Sequence, residues 1–379
     1  MKNFQRSNGN GHNLPNKSVV VLYTETKELI KGEPQDLIAD NGVVLCAKAV
    51  VRALQAQGVN AVGVPFEDHV ESALAPYSPD KYVVFNLGEG IAGKIFEEAR
   101  IAWTLEVMGY TFTGNGGDAI AKSTNKALTK SLLKKAGLNT PDWFVFSSAE
   151  EVLKTPVKDL RFPLIVKPMA EDGSIGLTNS AVVHTVEELM ERVAYVAERY
   201  HQLALAESFI DGRELNVALL GNPPQIMPIA EIDFSAIPNP FEKIVSFDAK
   251  WAEDSFEYHH TPTVCPARIS SSLASRVQKM VAKAWHVIGC AGYARVDLRL
   301  DANNVPYIVE VNCNPDISPD AGFQTAARTA GYTYEKLIYK ILENAWRRSN
   351  DYRQNRSSGA RNFNPIDYRE NQSLQQNRN

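Results

Sequence analysis

The alternation of apolar and polar residues first indicates an α/β region near the start of the chain. Three short apolar runs have the length of buried strands, at 18–23, 61–65 and 82–86. Between the first two runs, apolar residues from Val43 to Leu54 recur at helical spacing, and Gly58 follows as a helix stop. A further helix is predicted near 94–108. Strands that alternate with helices in this way predict a parallel sheet with crossover connections.

A basic segment and a strand with an internal lysine come next. Residues 119–137 are predicted to form one helix whose lysines are mostly interpreted as a solvated face: Lys122, Lys126, Lys130, Lys134 and Lys135. The run 162–168 predicts a strand. Lys167 in this run is expected to face an anion, because a lysine is rarely buried without a partner. The N–H groups of the small-residue loop 169–176 could hold phosphate oxygens.

The second half of the chain is predicted to contain two strand pairs and several helices. The first pair spans 204–220, with Glu207 and Glu214 on either side of an Asp-Gly turn. Apolar spacing predicts helices at 186–200, 270–289 and 333–346. The proline-rich stretch 221–265 is predicted to be irregular, and its length favours a lid.

The second strand pair carries the clearest candidate chemistry. Its first strand alternates apolar Val296, Leu298 and Leu300 with charged Arg295, Asp297 and Arg299. The returning strand brings Glu310 and Asn312 toward Asp297 at one end of the hairpin. Two carboxylates and an amide oxygen are hard ligands that suit Mg²⁺. The alternative is a hairpin whose charged face is only solvated.

Composition and charge narrow the class of protein. The chain has 379 residues, of which 44% are hydrophobic and 22% charged, and this is typical of a globular protein. The formal charge of −4 gives no argument for a nucleic-acid or membrane partner. The four cysteines form no CxxC pair, so neither a disulfide framework nor a zinc site is predicted. No apolar run resembles a membrane span or a signal peptide, and a cytoplasmic location is expected.

Both ends of the chain are predicted to be disordered. Residues 1–17 are polar and rich in glycine and asparagine. Residues 347–379 form a polar tail with seven arginines and three acidic residues, and they lack the apolar content needed to fold alone. An anionic partner for this tail is an alternative interpretation.

The order of these motifs is more informative than any one of them. Here the sequence resembles the ATP-grasp superfamily and, within it, the D-alanine–D-alanine ligase family, over about residues 18–345. The matching residues are Lys126 in STNKALTK, Lys167 in FPLIVKP, the loop EDGSIG, Glu207 and Glu214 in AESFIDGRELN, Arg295 and Asp297 in ARVDLRLD, and Glu310 and Asn312 in EVNCNPD.

The resemblance implies an α/β (α+β) ATP-grasp fold in three parts. These are a Rossmann-like pre-ATP-grasp domain at 18–117, a central lid subdomain at 118–205 and a C-terminal catalytic subdomain at 206–346. ATP would lie between the two antiparallel sheets of the subdomains. Family members are often dimers, so the resemblance leaves open whether this chain forms a homodimer.

The resemblance also implies site residues. Those implied to bind ATP are Lys126 and Lys167 at the phosphates, Gly173 and Ser174 in the closing loop, Glu207 with the backbone of Ser208, Phe209 and Ile210 at the adenine, and Glu214 at the ribose. Those implied to be catalytic or metal-binding are Lys250 at the phosphates, Arg295 at the developing oxyanion, and Asp297, Glu310 and Asn312 around one or two Mg²⁺ ions, or Mn²⁺ in their place.

The implied reaction agrees with the chemistry of these residues. A carboxylate is a poor acylating agent, but ATP can convert it to an acyl phosphate, from which an amine displaces phosphate. Phosphoryl transfer needs positioning and charge neutralisation more than a covalent nucleophile. Lysines, an arginine and Mg²⁺ provide both. The expected partners are therefore a small-molecule carboxylate and an amine.

The substrate side departs from the family pattern. Gly173 stands where the family usually has a serine, and Trp251 where it has a tyrosine. Asp316 and Ala321 replace a glycine and a serine that receive the second substrate's carboxylate. An anionic Asp316 would repel that carboxylate, unless its side chain faces solvent. Glu89, in a glycine-containing loop after a strand, is a further substrate candidate, although such loops are often only tight turns.

Three functions are weighed. The first is an ATP-dependent carboxylate–amine ligase of specialised metabolism, with mycosporine-type amino-acid ligation as an example. The second is a D-alanine–D-alanine ligase of cell-wall synthesis, which the substrate-side departures disfavour. The third is a non-catalytic nucleotide-binding protein, against which the intact charged hairpin argues.

Overall fold

The fold is built from three β-sheets that follow one another along the chain. The computed structural model describes residues 17–90, 94–156 and 159–357. The first sheet has three parallel strands, the second four antiparallel strands and the third six antiparallel strands. Each sheet comes from one continuous stretch of chain. The disorder predicted for 1–16 and 358–379 lies outside the described residues.

The first sheet is parallel, as predicted, with the strand order β2-β1-β3. Its strands are β1 (Ser18–Thr24), β2 (Ala61–Phe66) and β3 (Tyr82–Leu87). The accompanying helices are α1 (Asp36–Ala56), α2 (Val70–Leu74) and α3 (Glu97–Val107). The central strand β1 is buried on both faces, since its residues from Val19 to Leu22 are at most 1% exposed. Such continuous burial is expected of a parallel strand covered on both sides.

The basic segment after the first sheet forms two helices, so the prediction of one helix at 119–137 was wrong. They are α4 (Gly117–Thr124) and α5 (Lys126–Lys135). Asn125 separates them in an extended conformation, and its side-chain oxygen accepts a hydrogen bond from the N–H of Leu128 (3.0 Å). An asparagine cap of this kind starts a new helix and turns the chain.

The second sheet has the antiparallel strand order β4-β7-β5-β6. Its strands are β4 (Trp143–Phe146), β5 (Leu164–Pro168), β6 (Val182–Val183) and β7 (Ala204–Ser208). Two helices accompany this sheet, α6 (Ala149–Lys154) and α7 (Val186–Tyr200). The apolar stripe of α7, which the sequence predicted, packs on β5 and β7 in a separate hydrophobic core.

The third sheet has the order β11-β10-β8-β12-β13, with β9 paired to β8. Its strands are β8 (Glu214–Leu220), β9 (Gln225–Ile226), β10 (Ala230–Ile232), β11 (Thr263–Val264), β12 (Tyr293–Leu300) and β13 (Pro306–Asn312). The stretch 221–265, predicted to be irregular, also contains α8 (Phe247–Trp251) and α9 (Phe256–His260). These elements have only two to five residues, which is too short for periodicity to show.

Three helices complete the fold: α10 (Ser271–Ile288), α11 (Gly322–Thr329) and α12 (Tyr334–Ser357). Helix α12 continues eleven residues beyond the predicted end at 346, so the prediction of a disordered tail from 347 was wrong for its first part. Within the described ranges, no helix is long and apolar enough to cross a membrane.

Candidate active site

A cavity of about 1090 Å³ opens between the second and third sheets. Nearly all residues singled out in the sequence line it: Lys126, Lys167, Gly173, Ser174, Glu207, Ser208, Phe209, Ile210, Glu214, Lys250, Trp251, Arg295, Asp297, Glu310, Asn312, Asp316 and Ala321. Glu89 lines a smaller adjoining cavity of about 160 Å³. The fold therefore brings together motifs that lie up to two hundred residues apart in the chain.

The pairing of β12 with β13 explains why the charged hairpin residues converge. Asp297 lies directly opposite Glu310, and Arg295 lies opposite Asn312. Side chains of directly opposed residues share one face of an antiparallel pair. The apolar residues between them point into the core, where Val296 and Leu298 are completely buried. The alternation predicted from the sequence is therefore confirmed.

Arg295 and Asp297 form a two-point ion pair in the cavity wall. Arg295 donates from Nε to Oδ1 and from Nη2 to Oδ2 of Asp297, each at 2.8 Å. Burial alone would lower the pKa of Arg295, but the adjacent Asp297 carboxylate outweighs it and raises that pKa. Asn216, from the neighbouring β8, also donates to Asp297 Oδ1 (2.8 Å). Sequence analysis missed Asn216, although it follows Glu214 at strand period two.

Lys126 connects the hairpin to the loop 169–176. Its Nζ lies 2.6 Å from Glu310 Oε1, 2.9 Å from Asp172 Oδ1 and 2.6 Å from the Glu171 carbonyl oxygen. Burial would raise the pKa of Glu310, but Lys126 and then Lys167 outweigh it and lower that pKa to about 2. Burial and the nearby Glu310 raise the pKa of Asp172. Asp172 is a second site residue that sequence analysis missed.

Two lysines hold the carboxylate of Glu207 inside the protein. Lys167 Nζ lies 2.8 Å from Glu207 Oε1, and Lys130 Nζ forms an ion pair with Oε2. Lys130, interpreted as part of a solvated face, is only 1% exposed and also donates to Thr140 Oγ1 (3.0 Å). That interpretation was wrong for Lys130. The local sequence around this helix residue could not show it, because the partner Glu207 lies on the distant strand β7.

Glu214 is held by Arg299, an arginine to which sequence analysis assigned no role. Arg299 donates from Nη1 to Glu214 Oε2 (3.1 Å) and to the carbonyl oxygen of Lys243 (2.7 Å). It also donates from Nε to the carbonyl oxygen of Ile210 (2.8 Å). Arg299 therefore ties β8, β12 and the loop after β7 together along one edge of the cavity.

The short helix α8 contributes Lys250 and Trp251 to the wall of the larger cavity. Trp251 donates from Nε1 to the carbonyl oxygen of Gly173 in loop 169–176 (2.8 Å). Lys250 Nζ lies 4.8 Å from the centroid of the Trp251 ring. Burial, followed by the nearby Arg295, lowers the pKa of Lys250. Ser174 donates to the carbonyl oxygen of Val245, so the loop is tied to the segment that precedes α8 (2.7 Å).

Asp316 lies inside the site. It lines both cavities, and its Oδ1 accepts a hydrogen bond from the N–H of Ser318 (2.8 Å). Its role toward a substrate stays a prediction. Ala321 lines the larger cavity and is the residue before α11.

The oxygen donors at the end of the hairpin suit a hard divalent cation. Asp297, Glu310 and Asn312 line one cavity, and both carboxylates are paired with cationic groups. In the described part of the chain, no group of three His, Cys, Asp or Glu side chains could bind a metal alone. Two carboxylates and one amide oxygen fit Mg²⁺ by their chemistry, because this ion takes one or two carboxylates and completes its shell with phosphate oxygens and water.

This chain is similar in sequence to a known protein family and to individual relatives. Residues 132–343 match the family described as D-ala D-ala ligase C-terminus. An uncharacterized protein of Sinorhizobium fredii is 33% identical over 316 residues, which are 83% of this chain and 89% of that protein. The D-alanine–D-alanine ligase of Nitrosomonas europaea is 32% identical over 302 residues, which are 78% of this chain and 90% of that ligase.

Solved structures show the same fold. The D-alanine–D-alanine ligase from Bacillus anthracis complexed with ATP aligns with a TM-score of 0.69 at 20% identity, over 89% of this chain and 99% of that one. The D-alanine–D-alanine ligase from Coxiella burnetii aligns with a TM-score of 0.66 at 22% identity, over 89% and 97% of the two chains.

Proposed function

The chain belongs to the D-alanine–D-alanine ligase family and is an ATP-dependent ligase with the ATP-grasp fold that forms carbon–nitrogen bonds, and we propose that it joins two molecules of D-alanine. The observation that carries this proposal is the match to a D-alanine–D-alanine ligase over 90% of that ligase's length. Mycosporine-type ligation gains no support from the relatives named above.

The proposed domain boundaries follow the three sheets. A pre-ATP-grasp domain would span 18–117, a lid subdomain 118–205 and a catalytic subdomain 206–346. In support, the first, second and third sheets fall within these ranges, apart from the last residues of β7. The nucleotide would then lie in the larger cavity between the second and third sheets.

Lys126 and Lys167 are proposed to hold the phosphates of ATP, with Gly173 and Ser174 closing over them. Both lysines lie in the cavity and are paired with carboxylates, so phosphate oxygens would join a site already arranged for anions. Because Glu207 uses both of its oxygens on lysines, its proposed role becomes the orientation of Lys167 rather than direct recognition of adenine.

The adenine is proposed to meet the backbone after β7. The N–H groups of Ser208 and Phe209 already donate to the carbonyl oxygens of Asp142 (2.9 Å) and Pro163 (3.0 Å). Of the three predicted backbone contacts, the N–H of Ile210 is therefore the preferred donor to a ring nitrogen. Glu214 is proposed to accept hydrogen bonds from the ribose hydroxyls while Arg299 fixes its orientation.

Asp297, Glu310 and Asn312 are proposed to bind one or two magnesium ions. When bound, the metal would neutralise charge on the phosphate oxygens during phosphoryl transfer. Arg295 would stabilise negative charge on the reacting carboxylate, because Asp297 holds its guanidinium group at the cavity wall. Lys250 would supply a further positive charge from the cavity wall.

A second candidate function is ligation to an amine other than D-alanine. The observation that favours it is the presence of Asp316 in both cavities, where it would repel a substrate carboxylate. An amine with a neutral or cationic group at this position would avoid that repulsion.

Measuring ADP release together with the mass of the product distinguishes the two functions. The protein is incubated with ATP and Mg²⁺, first with D-alanine alone and then with D-alanine paired with a panel of amines and amino acids. We expect ADP release with D-alanine alone and a product of the mass of the D-alanine dipeptide. Release that requires a different amine would contradict the D-alanine proposal and support the second candidate.

A further inference from the structure

Arg192 is a buried cation on helix α7. Only 6% of it is exposed, and the next residue, Val193, packs in the core of the second sheet. Within the described residues, no carboxylate forms an ion pair with its guanidinium group. Arginine is rarely buried to this degree without a paired acid, so the groups that bind the guanidinium show what it does there.

The guanidinium group of Arg192 binds backbone carbonyl oxygens instead of an acid. Its Nε donates to the carbonyl oxygen of Val166 (3.4 Å), and its Nη2 donates to that of Gly176. The guanidinium carbon also lies 4.4 Å from the centroid of the Tyr195 ring, an arrangement that stabilises a cation. Tyr195 in turn donates from its hydroxyl group to Glu33 Oε1 (3.1 Å), in the segment before α1. The guanidinium group is therefore held in one orientation.

The two carbonyl oxygens lie at the two ends of the phosphate-binding stretch of the second sheet. Val166 comes directly before Lys167, and Gly176 is the last residue of loop 169–176. The chain between them therefore contains Lys167 and nearly the whole loop that is proposed to close over the phosphates. One buried side chain fixes both ends of this stretch.

The end of strand β5 has few other contacts that could fix it. Strand β6 pairs only with Leu164 and Ile165, so the later residues of β5, including Lys167, are paired with β7 alone. Gly176 has a φ of 72°, and a Cβ atom added there would lie 2.7 Å from the side chain of Pro168. The loop thus returns close against the end of the strand. A charged donor that binds both holds strand and loop together.

We propose that Arg192 is a positioning residue for the triphosphate of ATP. It holds Lys167 and loop 169–176 where phosphate oxygens are proposed to bind, and it lines neither cavity itself. The inference rests on the proposed function, since it takes the ATP site as given. The proposed contacts to adenosine, at Ile210 and Glu214, lie outside the stretch that Arg192 holds. Its effect is therefore confined to the phosphates.

The test compares Arg192→Met with a matched control on the same helix, Arg199→Met. Methionine has an unbranched side chain like the stem of arginine but cannot donate a hydrogen bond. The side chain of Arg199 is 53% exposed, is paired with Glu33 and lines neither cavity. The dissociation constants of ATP and AMP are measured by calorimetry with Mg²⁺ present and no amino acid. The melting temperature of each variant is recorded.

We expect Arg192→Met to weaken the binding of ATP by about tenfold or more, because two carbonyl oxygens lose a charged donor and the loop is no longer fixed. AMP lacks the β- and γ-phosphates and should bind as it does to the wild type. Arg199→Met should leave both dissociation constants unchanged. Equal weakening of ATP and AMP would show a merely structural role, and it would overturn the inference, as would unchanged ATP binding.

A conservative variant keeps the test decisive if Arg192→Met does not fold. Arg192→Lys retains the charge but has a single donor group, so ATP binding should weaken less than in the methionine variant while AMP binding stays unchanged. Hydrogen exchange reports on the loop directly, through the N–H groups of Ile175 and Leu177, which donate to the carbonyl oxygens of Asp172 (3.1 Å) and Ser174 (3.0 Å). Their exchange should be faster in Arg192→Lys than in the wild type.

Two outcomes separate the inference from the function on which it rests. Unchanged ATP affinity together with unchanged loop exchange in Arg192→Lys would reject the inference and leave the ATP site standing. A wild type that does not bind ATP would contradict the proposed function itself, and the inference with it.

Discussion

Lys130 and Lys134 lie one turn apart on α5 and have opposite surroundings. The side chain of Lys130 is 1% exposed and is paired with the buried Glu207. The side chain of Lys134 is 62% exposed and is paired with an equally exposed Asp142. Both lysines received the same interpretation from the sequence, because helical periodicity shows which residues share a face but not what lies against that face.

Removing Lys130 should therefore destabilise the fold far more than removing Lys134. Lys130→Ala leaves part of the Glu207 charge uncompensated in the interior, and we expect a loss of about 3 kcal/mol in the free energy of unfolding. Lys134→Ala should cost less than about 1 kcal/mol, because its ion pair is exposed. Urea denaturation of both variants measures the difference. Similar losses in the two variants would show that the Lys130–Glu207 pair is not structural.

Glu310 is the residue on which the proposed metal site depends most. Glu310→Gln keeps the shape of the side chain and a hydrogen bond to Lys126 but removes the negative charge. We expect kcat to fall by about a hundredfold or more, with a higher Mg²⁺ requirement. Glu187→Gln, on the exposed side of α7, serves as the control and should retain full activity. An active Glu310→Gln enzyme with an unchanged Mg²⁺ dependence would refute the metal assignment.

At the scale of elements, the segment 110–117 fixes the hairpin of β12 and β13 to the rest of the fold. Asn115 is completely buried and accepts from the N–H groups of Ala291 (2.6 Å) and Gly292 (3.1 Å). It also donates to the carbonyl oxygens of Tyr293 (2.7 Å) and Cys313 (2.5 Å). One side chain thus satisfies the backbone at both strands of the hairpin that carries the charged residues.

Asn115→Ala should therefore loosen the hairpin. Four backbone groups would lose their partner in the interior, and we expect a loss of about 3 kcal/mol or more in the free energy of unfolding. Asn303→Ala, in the exposed turn between the two strands, should change stability by less than about 0.5 kcal/mol. Hydrogen exchange at the amides of Ala291 and Gly292 gives a local measurement. Unchanged protection of these amides in Asn115→Ala would contradict the assigned role.

The sequence predicted the long elements well and the short ones poorly. The helix α10 follows from apolar periodicity over many residues, and strands β1, β2 and β3 follow from continuous apolar runs of strand length. The split between α4 and α5 could have been read from Asn125, which is a typical N-cap residue. The short strands between β8 and α10 could not be predicted, because strands of two or three residues depend on pairing with β8 or β10 rather than on their own sequence.

For the whole molecule, the order of motifs was sufficient to predict the family and the ATP-grasp fold. Phosphate and metal demand particular charges, so the lysines and carboxylates of the site are visible in the sequence as residue types at particular positions. Their partners Lys130, Asn216 and Arg299 became clear only from the pairing of distant strands. Trp251 and Gly42 lie against each other in the same cavity although they are more than two hundred positions apart, so this contact could not be derived from the sequence.

The proposed ligation of D-alanine requires that its carboxylate is activated as an acyl phosphate before an amine displaces phosphate. Transfer of ¹⁸O from a labelled carboxylate tests it most directly. The protein is incubated with ATP, Mg²⁺ and D-alanine labelled in both carboxylate oxygens, and the released phosphate is analysed by mass. We predict one ¹⁸O atom in each phosphate released, because the oxygen bridging carbon and phosphorus leaves with phosphate. Phosphate that contains no ¹⁸O during product formation would contradict the account.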